Sequence, residues 1–298
     1  MNSSVLNLYD AITVNIDQAH KAINSSDSYS NHEHYLGFTH KLLYDKGIYH
    51  KLIDAGLIRG WFEEFSEYWN RALNGRPLKF HDFFYLYSHY RTNFQYVAVT
   101  ENSNKNEYLN AWQRHENIYL TFGSCYKYAL DPFSGLPFLK YLKDKDSILE
   151  YGCGLAPITT SLLKCKKKMY KFTLADIRSF TYHYSKYRLK QHNVRFIDVI
   201  PYELPALEDR YDTIFLMTVL EHLPDPEKVI RLLTEHLKVP GYLIFDYALG
   251  EGRGLDTMES VKQRQSVLDF VNSKYYIVSG QIKYDQSMGT TILQKISS

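Results

Sequence analysis

The stretch that most restricts what this chain can become is Ser147-Ile148-Leu149-Glu150-Tyr151-Gly152-Cys153-Gly154-Leu155-Ala156-Pro157. Ile148 and Leu149 read as the end of a buried strand. Gly152 and Gly154 permit a sharp turn and let backbone N–H groups approach a ligand with no Cβ in the way. Pro157 suits the first position of a helix, where a missing N–H costs nothing. A strand feeding a glycine turn and a helix N-terminus is the nucleotide-binding element of a doubly wound α/β domain.

The dinucleotide fingerprint G-x-G-x-x-G asks for a third glycine where this chain has Pro157. That disfavours a nicotinamide-dependent oxidoreductase. Glu150-x-Gly152-x-Gly154-x-Ala156 instead resembles the first motif of class I S-adenosylmethionine (SAM) dependent methyltransferases, with Ala156 in place of the last glycine. Three later stretches extend the resemblance. Residues 170–176 read as a second strand ending in Asp176, 24 residues after Gly152. An acid there can accept hydrogen bonds from ribose hydroxyls, or cap the helix that follows. Tyr211–Pro226 is similar to the family's fourth strand and its EHLxDP turn. Lys238–Asp246 is similar to the approach to its fifth strand. The resemblance covers residues 137–298. It implies a Rossmann-like seven-stranded doubly wound sheet with an antiparallel last strand.

The same resemblance implies the site. Glu150, Gly152, Cys153, Gly154, Asp176, Ile177 and Met217 fall where the family holds SAM and its product S-adenosylhomocysteine. The family often places an acid after its third strand to receive the adenine amino group. Here that position is Ile200, with Asp198 two residues earlier, so Asp198 or a backbone carbonyl takes the role. Methyl transfer is an in-line displacement, and the acceptor must present a lone pair. His222 is the first candidate base, with Asp246 and Tyr247 next. Against this, Glu221-His222 can simply shape a turn beneath the cofactor.

Net charge is only +2 over 298 residues. No global field draws the chain to nucleic acid, and a small-molecule or sugar-like hydroxyl or amine is the expected acceptor. The competing reading is a catalytically silent SAM-binding protein that serves as a partner-binding module. Three cysteines without metal spacing suit a reducing compartment, and no membrane span or secretory leader is visible, so a cytoplasmic protein is expected. Cys153 reads as a small buried filler.

Residues 1–136 read as a mainly helical domain of no recognised family. Helical periodicity runs through 4–24 and, with breaks, 32–58. It is clearest over 60–74, where Phe62, Phe65, Tyr68, Trp69 and Leu73 recur at helical spacing. His32, His34, His40 and His50 form no recognised metal pattern. The aromatic stretch 79–98, which includes Arg91, and the segment 107–130, which includes Tyr119 and Tyr126, follow. The expected role is a cap over the acceptor, with Tyr119, Tyr126 and Arg91 as contacts. Asp131-Pro132 and Gly135-Leu136-Pro137 mark the boundary with the domain at 137–298.

Overall fold

In the computed structural model, the described residues are 61–72, 78, 107–108, 112, 120–121, 124–125, 134–165, 168–250 and 255–296. The described part of the second half is one sheet with helices on both faces. Strands β1 (Ser147–Tyr151), β2 (Lys171–Ile177), β3 (Val194–Val199), β4 (Tyr211–Leu216), β5 (Leu237–Tyr247), β6 (Tyr275–Ser279) and β7 (Met288–Lys295) lie in the order β3-β2-β1-β4-β5-β7-β6. The first five run parallel, and β7 enters antiparallel between β5 and β6. This is the expected seven-stranded, doubly wound sheet. Its strand order reverses between β1 and β4, where such sheets open a crevice at their carboxyl ends.

Alternation along each strand splits the core in two. Leu149, Ile214, Leu216, Leu243 and Phe245 face one side. There α4 (Pro226–His236) packs through Val229, Ile230 and Leu233, and α5 (Met258–Lys274) through Val267, Leu268 and Val271. Ile148, Phe172, Phe215 and Ile244 face the other side. That side is covered by a short 3-10 turn (Leu136–Phe138) and by α2 (Pro157–Cys165), with α3 (Phe180–Leu189) packed through Tyr182 and Leu189 on Leu174. Truncating a fully buried leucine such as Leu243 would cost about 2–5 kcal/mol.

Caps set the helix starts. The Ser179 side chain accepts from Tyr182 N to open α3, Asp225 accepts from Lys228 N to open α4, and Thr257 accepts from Ser260 N to open α5. The sequence left Asp176 as a possible cap for α3, but that cap is Ser179, which leaves Asp176 for other work.

In the first half, α1 (Trp61–Arg71) matches the helix expected over 60–74. It docks on α3: Phe65 meets Tyr184 edge to face at 5.5 Å, Glu64 pairs with Arg188 at 2.9 Å, and Tyr68 Oη lies 2.7 Å from His183 Nδ1. No helix among the described residues is long and apolar enough to cross a membrane.

Candidate active site

The carboxyl ends of β1, β2, β4 and β5 open into one cleft of about 1110 Å³. Its floor is the glycine turn after β1. Gly152 takes φ +65° and Gly154 φ +49°, both in the left-handed region. Gly152 N donates to Ala175 O at 2.8 Å, which ties the turn to β2. A Cβ at Gly152 would lie 2.3 Å from Val219 Cγ2. A Cβ at Gly154 would meet only Thr181 Oγ1, at 4.0 Å, in the open cleft. The two glycines therefore do different jobs: one lets β4's loop close over the turn, and the other keeps the cleft clear. Ala156, at the position of the family's last glycine, also has positive φ (52°), the left-handed conformation in which a glycine carries no Cβ penalty.

Glu150 reaches the cleft wall, but its carboxylate is turned onto the first turn of α2. It accepts from Thr159 N at 3.0 Å, Thr159 Oγ1 at 2.7 Å and Ile158 N at 3.4 Å. Burial pushes this carboxyl up to about 7, outweighing those bonds. Glu150 thus fixes the angle between the glycine turn and α2.

Asp176 stands at the end of β2. Its Oδ2 accepts from Gly154 N at 2.6 Å and its Oδ1 from Ile177 N at 2.7 Å. Burial pushes it up to about 6, against the pull of those two N–H groups. Each carboxylate oxygen has two lone-pair directions, so both retain a site for a vicinal diol. A buried acid at the cleft, bonded to a glycine turn whose Cβ position is open, fits the ribose and amino-acid ends of SAM. Ile177, Cys153 and Met217 also line the cleft wall. Cys153 is buried, and burial raises its thiol well above the ordinary value.

Beyond β4, Thr218 takes φ +56° and its N–H donates to Asp246 Oδ1 at 2.5 Å. The chain then makes a 3-10 turn, Leu220–His222. His222 faces the cleft with Nδ1 3.0 Å from Asp256 Oδ1 and 3.2 Å from Leu255 O. Trp112 stands edge to face with its ring at 5.3 Å, and Tyr108 Oη donates to its carbonyl. Burial lowers the imidazole's proton affinity. The Asp256 bond, the Glu221 charge and the Leu255 carbonyl outweigh it and raise the value above that of ordinary histidine.

Three expected site residues lie elsewhere. Asp198 is held by Arg178 at 2.9 Å and by Lys186, outside the cleft, and Ile200 is 42% exposed. Val199 is the β3 residue that lines the cleft. Tyr247 points away because strand alternation sends Asp246 to the cleft and Tyr247 to the α5 side. There its hydroxyl donates to Ser260 O at 2.7 Å and its ring lies under Arg264. Tyr119, Tyr126 and Arg91 lie outside the described residues. The sequence reading missed Asp256, which nothing in a local motif connects to His222. It also missed Tyr108 and Trp112 as cleft residues; their aromatic character was the only signal. No group of three or more metal-ligating side chains occurs among the described residues.

Known proteins match the part of the chain that carries this cleft. A methyltransferase domain family matches residues 127–275. (S)-Coclaurine N-methyltransferase of Papaver somniferum is 28% identical over 110 residues, 36% of this chain and 30% of that protein. The ubiquinone biosynthesis O-methyltransferase of Hydrogenovibrio crunogenus is 26% identical over 156 residues, 49% of this chain and 59% of that one. The chain thus spans less than two thirds of the length of either relative. Among solved structures, N-methyltransferase NodS from Bradyrhizobium japonicum WM9, in complex with S-adenosyl-L-homocysteine, aligns with a TM-score of 0.43 at 15% identity, over 57% of this chain and 88% of that chain.

Proposed function

The chain belongs to the methyltransferase domain family, and from that premise we propose that it transfers a methyl group from SAM to a hydroxyl or amine of a small-molecule or sugar-like acceptor. The observation that carries this reading is the Asp176–Gly154 bond at 2.6 Å. It joins the acid at the end of β2 to the glycine turn at the end of β1, in the lining of a cleft of about 1110 Å³. That volume stands at the upper end of the roughly 300–1,000 Å³ usual for ligand pockets, in keeping with a cofactor and a small acceptor.

When bound, the cofactor supplies a methyl group on a sulfonium centre that leaves as a neutral thioether. The chain's own residues do the rest. Gly152 and Gly154 shape the turn that would receive the amino-acid end, and Asp176 would accept from the ribose hydroxyls. Val199, Ile177 and Leu223 offer apolar walls for the base. His222 and Asp246 sit at the ends of β4 and β5, on the acceptor side. His222 would take the acceptor proton, so that the lone pair can form the new bond. Asp246 holds the backbone of Thr218 in its left-handed conformation and so sets the path of the chain into the His222 turn.

The first half would cap the acceptor. Tyr108, Trp112, Leu120 and Ser124 already contribute to the cleft wall, which supports that role. Calorimetry with SAM and NAD, followed by transfer of labelled methyl to a metabolite extract, tests the proposal. Tight binding of SAM, no binding of NAD and a labelled small molecule are expected. SAM binding without transferred label would favour a silent binding protein instead.

A further inference from the structure

Asp256 lies on the segment that joins β5 to α5, 34 residues from His222, and no motif includes it. We propose that Asp256 is the positioning residue for His222: it holds the ring with a proton on Nδ1 and presents the Nε2 lone pair to the acceptor. This role rests on reading the cleft as a methyl-transfer site.

The geometry leaves one arrangement. Nδ1 faces Asp256 Oδ1 at 3.0 Å and the Leu255 carbonyl at 3.2 Å. Both groups only accept hydrogen bonds, so a bare Nδ1 would meet two lone-pair donors and no hydrogen. The neutral ring therefore carries its hydrogen on Nδ1, and Nε2 is the basic atom. The proton of the acceptor hydroxyl or ammonium passes to Nε2 while the acceptor keeps the bonding pair for the methyl carbon. The imidazolium so formed lies between Asp256 on one side and Glu221, whose Oε1 is 4.0 Å from Nε2, on the other. It then returns its proton to water.

Two features fix Asp256 in place. Thr257, its neighbour, donates from N to Glu221 O at 2.9 Å and from Oγ1 to Leu223 O at 2.7 Å, which clasps the segment to the His222 turn. Gly250 makes room for the carboxylate, because a Cβ there would lie 2.4 Å from Asp256 Oδ2. Among the described residues, the charged or titratable groups that act on His222 are Asp256, Glu221 and Asp176, with Tyr108 bonded to its carbonyl. Asp176 and Glu221 remain in every variant below, so a change on altering residue 256 reports on Asp256.

The test uses the full chain labelled with ¹⁵N-histidine. The His222 signals are identified by their loss in His222→Gln. Long-range ¹H–¹⁵N spectra should show the Nδ1–H tautomer and a titration midpoint above ~6.5, the ordinary histidine value. Asp256→Asn, checked for folding by circular dichroism, should lower that midpoint by roughly 1–3 units. The acid limb of the pH–rate profile should move with it. Gly250→Ala, which crowds the carboxylate, should shift both in the same direction. An Nε2–H tautomer in the unmodified chain, or a midpoint unmoved in Asp256→Asn, would overturn the proposal even if methyl transfer is active. The expected spectra without any labelled product would uphold the pairing and reject the reading of the cleft, which the spectra do not use.

Discussion

Gly152 and Gly154 both have positive φ, yet alanine at each should fail in a different way. At Gly152 the new methyl carries left-handed strain of about 1–2 kcal/mol. It also strikes Val219 at 2.3 Å, and Val219 has little room to yield: it is buried, β-branched, and its carbonyl accepts from His222 N at 2.9 Å. Overpacking of that kind costs about 1–3 kcal/mol more, so Gly152→Ala should lose about 2–5 kcal/mol in all. At Gly154 only the strain applies to stability, about 1–2 kcal/mol, because the methyl points into the cleft. There it occupies space meant for ligand. The same overpacking scale predicts SAM affinity lower by roughly 5- to 150-fold. Urea unfolding at constant m-value gives the first quantity, and calorimetric titration with SAM gives the second. A double-mutant cycle adds a check: Val219→Ala should recover about 1–3 kcal/mol in the Gly152→Ala background relative to additivity. The reasoning is refuted if Gly154→Ala costs more stability than Gly152→Ala, or if it binds SAM as tightly as the unmodified chain.

Other consequences can be measured with the same two assays. Asp176→Asn removes a charged acceptor and should weaken SAM binding by roughly 10- to 150-fold, the equivalent of a charge-assisted hydrogen bond. In the unmodified chain, affinity should fall as pH drops through about 6, where Asp176 takes up a proton. Glu150 is raised from its ordinary value to about 7, so the folded state binds that proton more tightly than the unfolded one. Its stabilising effect is complete below ~4.5 and is lost as pH rises to 7, by about 3 kcal/mol. The stability of the unmodified chain relative to Glu150→Gln should therefore decline between pH 4.5 and 7 and level off above; a flat difference in urea midpoints would contradict this. Asp198→Ala breaks two partly exposed ion pairs and should cost no more than ~1 kcal/mol for each, with SAM affinity unchanged. A large loss of affinity would return Asp198 to the cofactor site.

What the sequence made legible was local. The turn at 150–157 and the acid at the end of the second strand each follow from neighbouring residues. Strand order followed from a resemblance spread over four stretches. What stayed hidden depends on the third dimension. Asp198 and Ile200 were assigned by counting along a strand, but Arg178 and Lys186 draw Asp198 outward and leave Val199 at the cleft. Tyr247 was paired with Asp246 as if adjacent residues shared a face, which a pleated strand forbids. Asp256 meets His222 only because Thr257 clasps the two loops. Arg264 is a similar case: a buried guanidinium that donates to the carbonyls of Tyr247, Ala248, Lys283, Tyr284 and Gln286 gives no periodic sign in the sequence.

The antiparallel strand β7 comes last in chain order among the described strands, yet it sits inside the sheet, bonded to β5 and β6, with Leu293 wholly buried. As the polypeptide is synthesised, β5 must wait for residues 288–295 before its outer edge is covered, and β6 has no partner strand until then. A ribosome-bound chain ending before residue 288 should consequently remain protease-sensitive, and release of the final strand should be the event that locks the cleft into shape.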